Sequence, residues 1–174
     1  KDNIRYDKSL GGGILNDAGC YPVNASRMLF QSEPNGVFCK LIMDKDTQVD
    51  TKAVLLMDFN SNIQAQCSVG YDLDYQSNYR LWGSNGSLNL TRSYNIPPDM
   101  SAKLNVKNSD VEEEIMIEPV NHFKLMIESF CEEIMKSNSY NYNFEEDLLN
   151  QARVMEACRI SNNEKRYVEI KEIK

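Results

Sequence analysis

Two alternating runs separated by a short polar turn most constrain what this chain can become. In Thr51–Phe59, the side chains of Ala53, Leu55, Met57 and Phe59 share one face. In Ile63–Tyr71, Ile63, Ala65, Cys67, Val69 and Tyr71 share one face, and Gln64, Gln66 and Ser68 the other. A period of two is the signature of a strand half buried on one side. Phe59-Asn60-Ser61-Asn62-Ile63 between them predicts a compact hairpin turn. Such a pair must lay its apolar face on another layer. Val54 and Leu56 oppose that face, so the far side is expected to be partly solvated or covered by another subunit.

The remaining elements follow the same logic. Val37–Met43 reads as a mostly apolar strand, Tyr79–Trp82 and Ser87–Thr91 as a second pair around Gly83-Ser84-Asn85-Gly86, and Glu112–Ile117 as a last alternating segment. Leu15, Ala18, Ala25 and Leu29 recur at helical spacing until Ser32-Glu33-Pro34-Asn35-Gly36 ends the run, with Pro22 near the first turn. Two closing helices are expected over Val120–Met135 and Phe144–Arg159. The first carries a stripe of Phe123, Met126, Ile127, Phe130 and Ile134, the second one of Phe144, Leu148, Ala152 and Met155. Lys165–Ile170 reads as a short final strand, and residues 1–10 as polar and extended. The expectation is an α+β fold, a mostly antiparallel open sheet with helices packed on one face, forming a single domain over residues 1–174.

Composition narrows the functional classes. A net charge of −7 with singly scattered basic residues argues against nucleic acid as a partner. No run approaches the ~20 apolar residues of a membrane span, and Lys1–Leu10 has no signal-peptide pattern. Cys20, Cys39, Cys67, Cys131 and Cys158 are odd in number, lack a Cys-x-x-Cys pair and sit among apolar neighbours, as reduced buried thiols do. The expected compartment is therefore cytoplasmic. Asn24, Asn85 and Asn89 stand in Asn-x-Ser/Thr sequons, which an Asn-rich chain produces by chance. His122, the only histidine, reads as a surface or cap residue, Glu112-Glu113-Glu114 as a solvated strand, and Trp82 as a sheet-packing side chain, so no metal site is expected.

The densest chemistry lies in residues 11–27. Gly11-Gly12-Gly13 lets a backbone or ligand approach closely, and Asp17 precedes Tyr21 by four residues where the loop becomes a helix. At that spacing the two side chains lie on one face, about 5–6 Å apart at Cβ. The pair alone also fits an ordinary helix start, with an acid near the N-terminus and a tyrosine half buried. The longer pattern formed by Gly11, Gly12, Gly13, Leu15, Asp17, Gly19, Tyr21 and Arg27, followed by strands and two helices, resembles the C-terminal domain of the glucose–fructose oxidoreductase/inositol dehydrogenase (Gfo/Idh/MocA) family.

The resemblance implies an enzyme moving hydride between NAD or NADP and a sugar, nucleotide-sugar or polyol. A carbinol oxygen then needs a proton delivered or removed. On this reading Tyr21 is the proton donor or positions the sugar, and Asp17 binds substrate or orients its partners. Many family members carry His where this chain has Tyr21. Tyrosine there occurs in sugar-oxidoreductase and nucleotide-sugar ketoreductase branches. Gly13 would give the substrate room, Asn24 would offer an amide to its hydroxyls or pack on the helix, and Arg27 would bind an anionic group or form a salt bridge. Arg5 and Tyr6 precede the loop and could line the cleft.

Gly-x-Gly-x-x-Gly and Glu-Lys-Pro do not occur in the 174 residues. The chain is therefore expected to be a fragment, inactive alone and without bound cofactor, lacking a nucleotide-binding domain of about 100–150 residues. In the whole protein it would serve substrate binding and homo-oligomerisation through the open sheet face. The alternative is a non-catalytic sugar-binding or dimerisation module that kept the fold.

Overall fold

The computed structural model describes residues 3–136 and 142–174. Among these the chain forms strands β1 (Gly36–Met43), β2 (Asp50–Asp58), β3 (Gln64–Gly70), β4 (Asn78–Gly83), β5 (Gly86–Thr91), β6 (Ala102–Asn108), β7 (Glu112–Ile117) and β8 (Val168–Glu169). Its α-helices are α1 (Cys20–Phe30), α2 (His122–Met135) and α3 (Phe144–Glu164). They fall into two compact units, Lys1–Leu73 with Asn143–Lys174, and Asp74–Tyr142.

The first unit is an antiparallel sheet of order β3-β2-β1-β8, with α1 and α3 on one face. Register puts Leu55 opposite both Cys39 and Cys67, and Met57 opposite both Val37 and Ala65. These rows are the alternating positions expected to be inward, and all are buried. Ile14, Leu15 and Val23 close over them from the α1 side, and Val154, Met155, Ala157 and Cys158 from α3. On the opposite face Phe38, Val54 and Leu56 are exposed, the open side that the alternation predicts.

The β8 edge shows how helix side chains replace a missing strand. β8 pairs with only Gly36 and Val37 of β1. Further along, the Cys39 N–H donates to Oγ of Ser161 at 2.9 Å, and the Leu41 N–H donates to Oδ1 of Asn162 at 2.9 Å. Ser161 is fully buried, and its hydroxyl donates a hydrogen bond to the carbonyl of Arg166 at 2.6 Å. Two amides that a fourth full-length strand would pair are thus satisfied from the end of α3.

The second unit is an antiparallel sheet of order β4-β5-β6-β7 together with α2. The single meander expected from the alternation therefore divides into two four-stranded sheets. One strand, β6, has no counterpart in the sequence reading, because Lys103, Asn105 and Lys107 dilute its apolar Leu104 and Val106. Glu114 and Glu112 of β7 pair with Lys103 and Lys107 across the strands, so the acidic run is a solvated ladder as expected.

Both expected helical stripes need correction. Asn121 starts α2 by accepting from the Lys124 N–H, yet Phe123, Met126, Ile127, Phe130 and Ile134 are all exposed rather than core. On α3, Phe144, Leu148 and Ala152 are exposed, and the buried side is Val154, Met155, Ala157, Cys158 and Ser161. Periodicity identifies which residues share a helix face but carries no information on what covers it. Cys39, Cys67 and Cys158 are buried thiols as expected, Cys20 is half-buried, and Cys131 lies exposed.

Replacing Ser161 with Ala removes the acceptor of a buried amide. We expect a loss of about 1–3 kcal/mol in stability, measured by urea unfolding, with the fold retained.

Candidate active site

Two short turns, Ile4–Tyr6 and Lys8–Leu10, build the approach to the glycine loop. Each is capped by an acceptor side chain, Asn3 on the Arg5 N–H and Asp7 on the Ser9 N–H. The chain then folds back on itself. The Gly12 N–H donates to the Asp7 carbonyl at 2.9 Å and the Gly13 N–H to the Arg5 carbonyl at 2.9 Å. A Cβ on Gly12 would press on the carbonyl oxygens of Ile4, Arg5 and Asp7 at 2.6–2.8 Å, so only glycine permits this approach.

Gly13 has φ +119°, and a Cβ there would collide with Oδ1 of Asp50. That carboxylate occupies the space for a reason: its Oδ2 accepts the Leu15 N–H at 2.6 Å. Asp50, the first residue of β2, thereby satisfies one of the orphan amides at the start of the helical run and complements its positive end. The run opens with one π-turn, Leu15–Gly19, and continues as α1. Pro22 is the third residue of α1, but the run is already helical from Leu15, so Pro22 stands just after the π-turn and not in the first turn of the run as expected.

This junction sets Asp17 in the π-turn and Tyr21 at the start of α1. The Asp17 carboxylate receives the Nε–H of Arg5 on both oxygens, at 2.9 and 2.8 Å. The Asp17 side chain keeps 31% of its surface exposed and that of Arg5 50%. Tyr21 is 52% exposed and lies in the field of the Arg5 guanidinium. Behind them the Tyr6 ring packs on Tyr71, with centroids 5.3 Å apart.

The Tyr71 hydroxyl is buried beside Asp17 and closes no hydrogen bond of good geometry among the described residues. Burial first, then the neighbouring Asp17 charge, push its phenol well above the ordinary range, so it stays protonated. Arg5 and Tyr6, which the sequence suggested only as possible cleft residues, are thus both at the site. Tyr71 was legible only as the last residue of an alternating strand, and Asp50 carried no signal at all.

Asn24 lies exposed one turn beyond Tyr21. Arg27 is engaged differently. Its side chain is 4% exposed, with Nε and Nη2 donating to Glu33 at 2.7 and 2.8 Å, Nη2 to Asp147 at 2.8 Å, and Nη1 to Gln151 at 2.9 Å. Gln151 in turn donates to the Cys20 carbonyl at 3.0 Å, stitching α1 to α3. The salt-bridge role is therefore filled, and the guanidinium is buried rather than on the helix surface. His122 Nε2 lies 2.9 Å from the Ile96 carbonyl, and Trp82 is 86% exposed rather than packed on its sheet.

Among the described residues no group of three or more His, Cys, Asp or Glu side chains is placed to hold a metal ion. No described helix is long and apolar enough to cross a membrane. The glycine loop does not fit a dinucleotide pyrophosphate, because the Gly12 and Gly13 amides are spent on Asp7 and Arg5 carbonyls.

Gly13→Ala forces a left-handed residue and a collision with Asp50; we expect a loss of about 2–4 kcal/mol, read by thermal unfolding. Tyr71 supplies a pH signature. Its phenol keeps its proton to higher pH in the folded chain than in the unfolded one, so the folded state binds more protons above about pH 10 and stability falls as pH rises there. In Tyr71→Phe that alkaline slope, measured by urea unfolding, should flatten.

The comparisons with known proteins follow this geometry. Residues 1–89 match the model of the GFO/IDH/MocA C-terminal domain. A dTDP-3,4-didehydro-2,6-dideoxy-α-D-glucose 3-reductase of Actinomadura kijaniata is 27% identical over 90% of this chain and 47% of its own length. A D-xylose 1-dehydrogenase (NADP+) of Haloferax volcanii is 28% identical over 75% of this chain and 40% of its own. An uncharacterised oxidoreductase of Rhizobium meliloti is 33% identical over 74% and 40%. The solved 3-ketoreductase of A. kijaniata, in complex with NADP and TDP-benzene, superposes with a TM-score of 0.83 at 26% identity, covering 92% of this chain and 49% of that one. The chain thus spans about half the length of the relatives it matches. The glycine loop, the Asp17–Tyr21 junction and these matches lead to one conclusion: the chain belongs to the GFO/IDH/MocA oxidoreductase family, as its C-terminal domain.

Proposed function

We propose that this chain is the substrate-binding and oligomerisation domain of an NAD(P)-dependent oxidoreductase that moves hydride to or from a sugar, nucleotide-sugar or polyol. The observation that carries this reading is the placement of Asp17 and Tyr21 four residues apart at the loop–helix junction, both partly open to solvent. In relatives of stated activity the substrate is a dTDP-linked keto-sugar or D-xylose and the nucleotide NADP. The nucleotide, on this reading, is bound in another part of the complete protein.

What this chain contributes is proton handling and orientation. The Tyr21 hydroxyl gives its proton to the oxygen of a carbonyl being reduced and is left as a phenolate; when an alcohol is oxidised, the phenolate form takes up the alcohol proton. Asp17 accepts a hydrogen bond from a neighbouring substrate hydroxyl. Asn24 offers its amide one turn away, whereas Gly13 is buried with its open side filled by Asp50 and shapes the loop instead of meeting the substrate as expected. We assign Arg27 to joining α1 and α3, since its donors are already taken by Glu33, Asp147 and Gln151. The exposed apolar Phe38, Ile42, Val54 and Leu56 on the open sheet face support self-association. Unpaired thiols support a reducing, cytoplasmic setting.

The test is Tyr21→Phe in the full-length protein, assayed with a dTDP-linked 3-keto-sugar and NADPH and with D-xylose and NADP+. Turnover should fall roughly 10²-fold or more while the melting temperature holds. Unchanged turnover removes Tyr21 as the proton donor.

A further inference from the structure

Asp17 has an ion-pair partner that the proposed chemistry does not itself use. Arg5 reaches it from twelve residues upstream, and its own main chain is fixed first: its N–H donates to Asn3 Oδ1 at 3.0 Å, and its carbonyl accepts from Gly13. We propose that Arg5 is the positioning residue of this site, holding the Asp17 carboxylate in one orientation against the wall formed by Tyr6 and Tyr71. The inference rests on the role given to Asp17 and Tyr21 above.

Three features carry it. The Nε–H is shared by both carboxylate oxygens, which restrains rotation of the Asp17 head group more than a contact to one oxygen would. The buried Tyr71 hydroxyl lies near Asp17 and the Tyr6 ring packs on Tyr71, while 31% of the Asp17 side chain stays open. Finally, an ion pair between side chains this exposed adds little to folding stability. The glycine loop closes its bond onto the backbone of Arg5 itself, so the loop geometry, the position of Arg5 and the orientation of Asp17 are one construction.

The experiment compares Arg5→Gln, Arg5→Lys and Asp17→Asn in the full-length protein, with whichever of the two probe substrates the wild type turns over. Arg5→Gln should lower kcat by roughly 10²-fold, the scale of a small misplacement at a reacting centre, with KM and melting temperature little changed. Arg5→Lys should restore part of that loss. In an Asp17→Asn background, Arg5→Gln should cost almost nothing further, because the two act as a unit. A turnover unaffected by Arg5→Gln, or an equal fall in the Asp17→Asn background, overturns the proposal. So does a loss of melting temperature with kcat per folded molecule unchanged. If the wild type turns over neither probe, those two substrates are excluded from the functional reading. The crystal structure of the Arg5→Gln chain then decides separately: an Asp17 side chain that has turned supports positioning, and one that has not moved overturns it.

Discussion

One carboxylate ties the two layers of the first unit together at the site. Asp50 opens β2 and accepts the first free amide of the helical run at Leu15. Its other oxygen fills the space beside Gly13 that any side chain would occupy. Helix starts leave unpaired N–H groups that are costly when withdrawn from water. Taking one of them up from a strand fixes where α1 begins relative to the sheet. Asp17 and Tyr21 are placed by that choice, since both lie within seven residues of Leu15 on the same run.

A similar economy holds the far side of the unit. β8 is too short to pair β1 along its length, and Ser161 and Asn162 of α3 supply the acceptors instead. Arg27 then locks α1 to the start of α3 through Glu33, Asp147 and Gln151. Burial of that guanidinium is tolerated because each of its three nitrogens has a partner. The site stands on a frame in which side chains complete what the backbone ladders leave unpaired.

Family membership makes the same frame intelligible in functional terms. Relatives that share the fold act on sugars or nucleotide-linked sugars with NADP. A domain serving such a reaction needs one precisely held polar edge and freedom elsewhere to fit different substrates. In the role proposed for this domain, that edge is the Arg5–Asp17 pair with Tyr71 nearby. Tyr21 and Asn24 stand at the solvent side of α1.

Local pattern determined much of this. The period of two placed Ala53, Leu55, Met57, Ala65 and Cys67 inward, because strand side chains alternate whatever the partner. The i, i+4 spacing brought Asp17 and Tyr21 to one stretch, and Gly11-Gly12-Gly13 marked a close approach of backbone. Tertiary structure decided the rest. It divided the strands between two sheets, left the α2 stripe uncovered, and moved the buried side of α3 to Val154, Met155, Ala157, Cys158 and Ser161. It also chose the partners: Arg5 for Asp17 and Asp50 for Leu15 at the site, and Glu33 with Asp147 for Arg27 in the frame. Spacing along a chain dictates which side chains share a face. Which distant group meets that face depends on how the layers pack, and a contact between residues 15 and 50 or 27 and 147 leaves no periodic trace in the sequence.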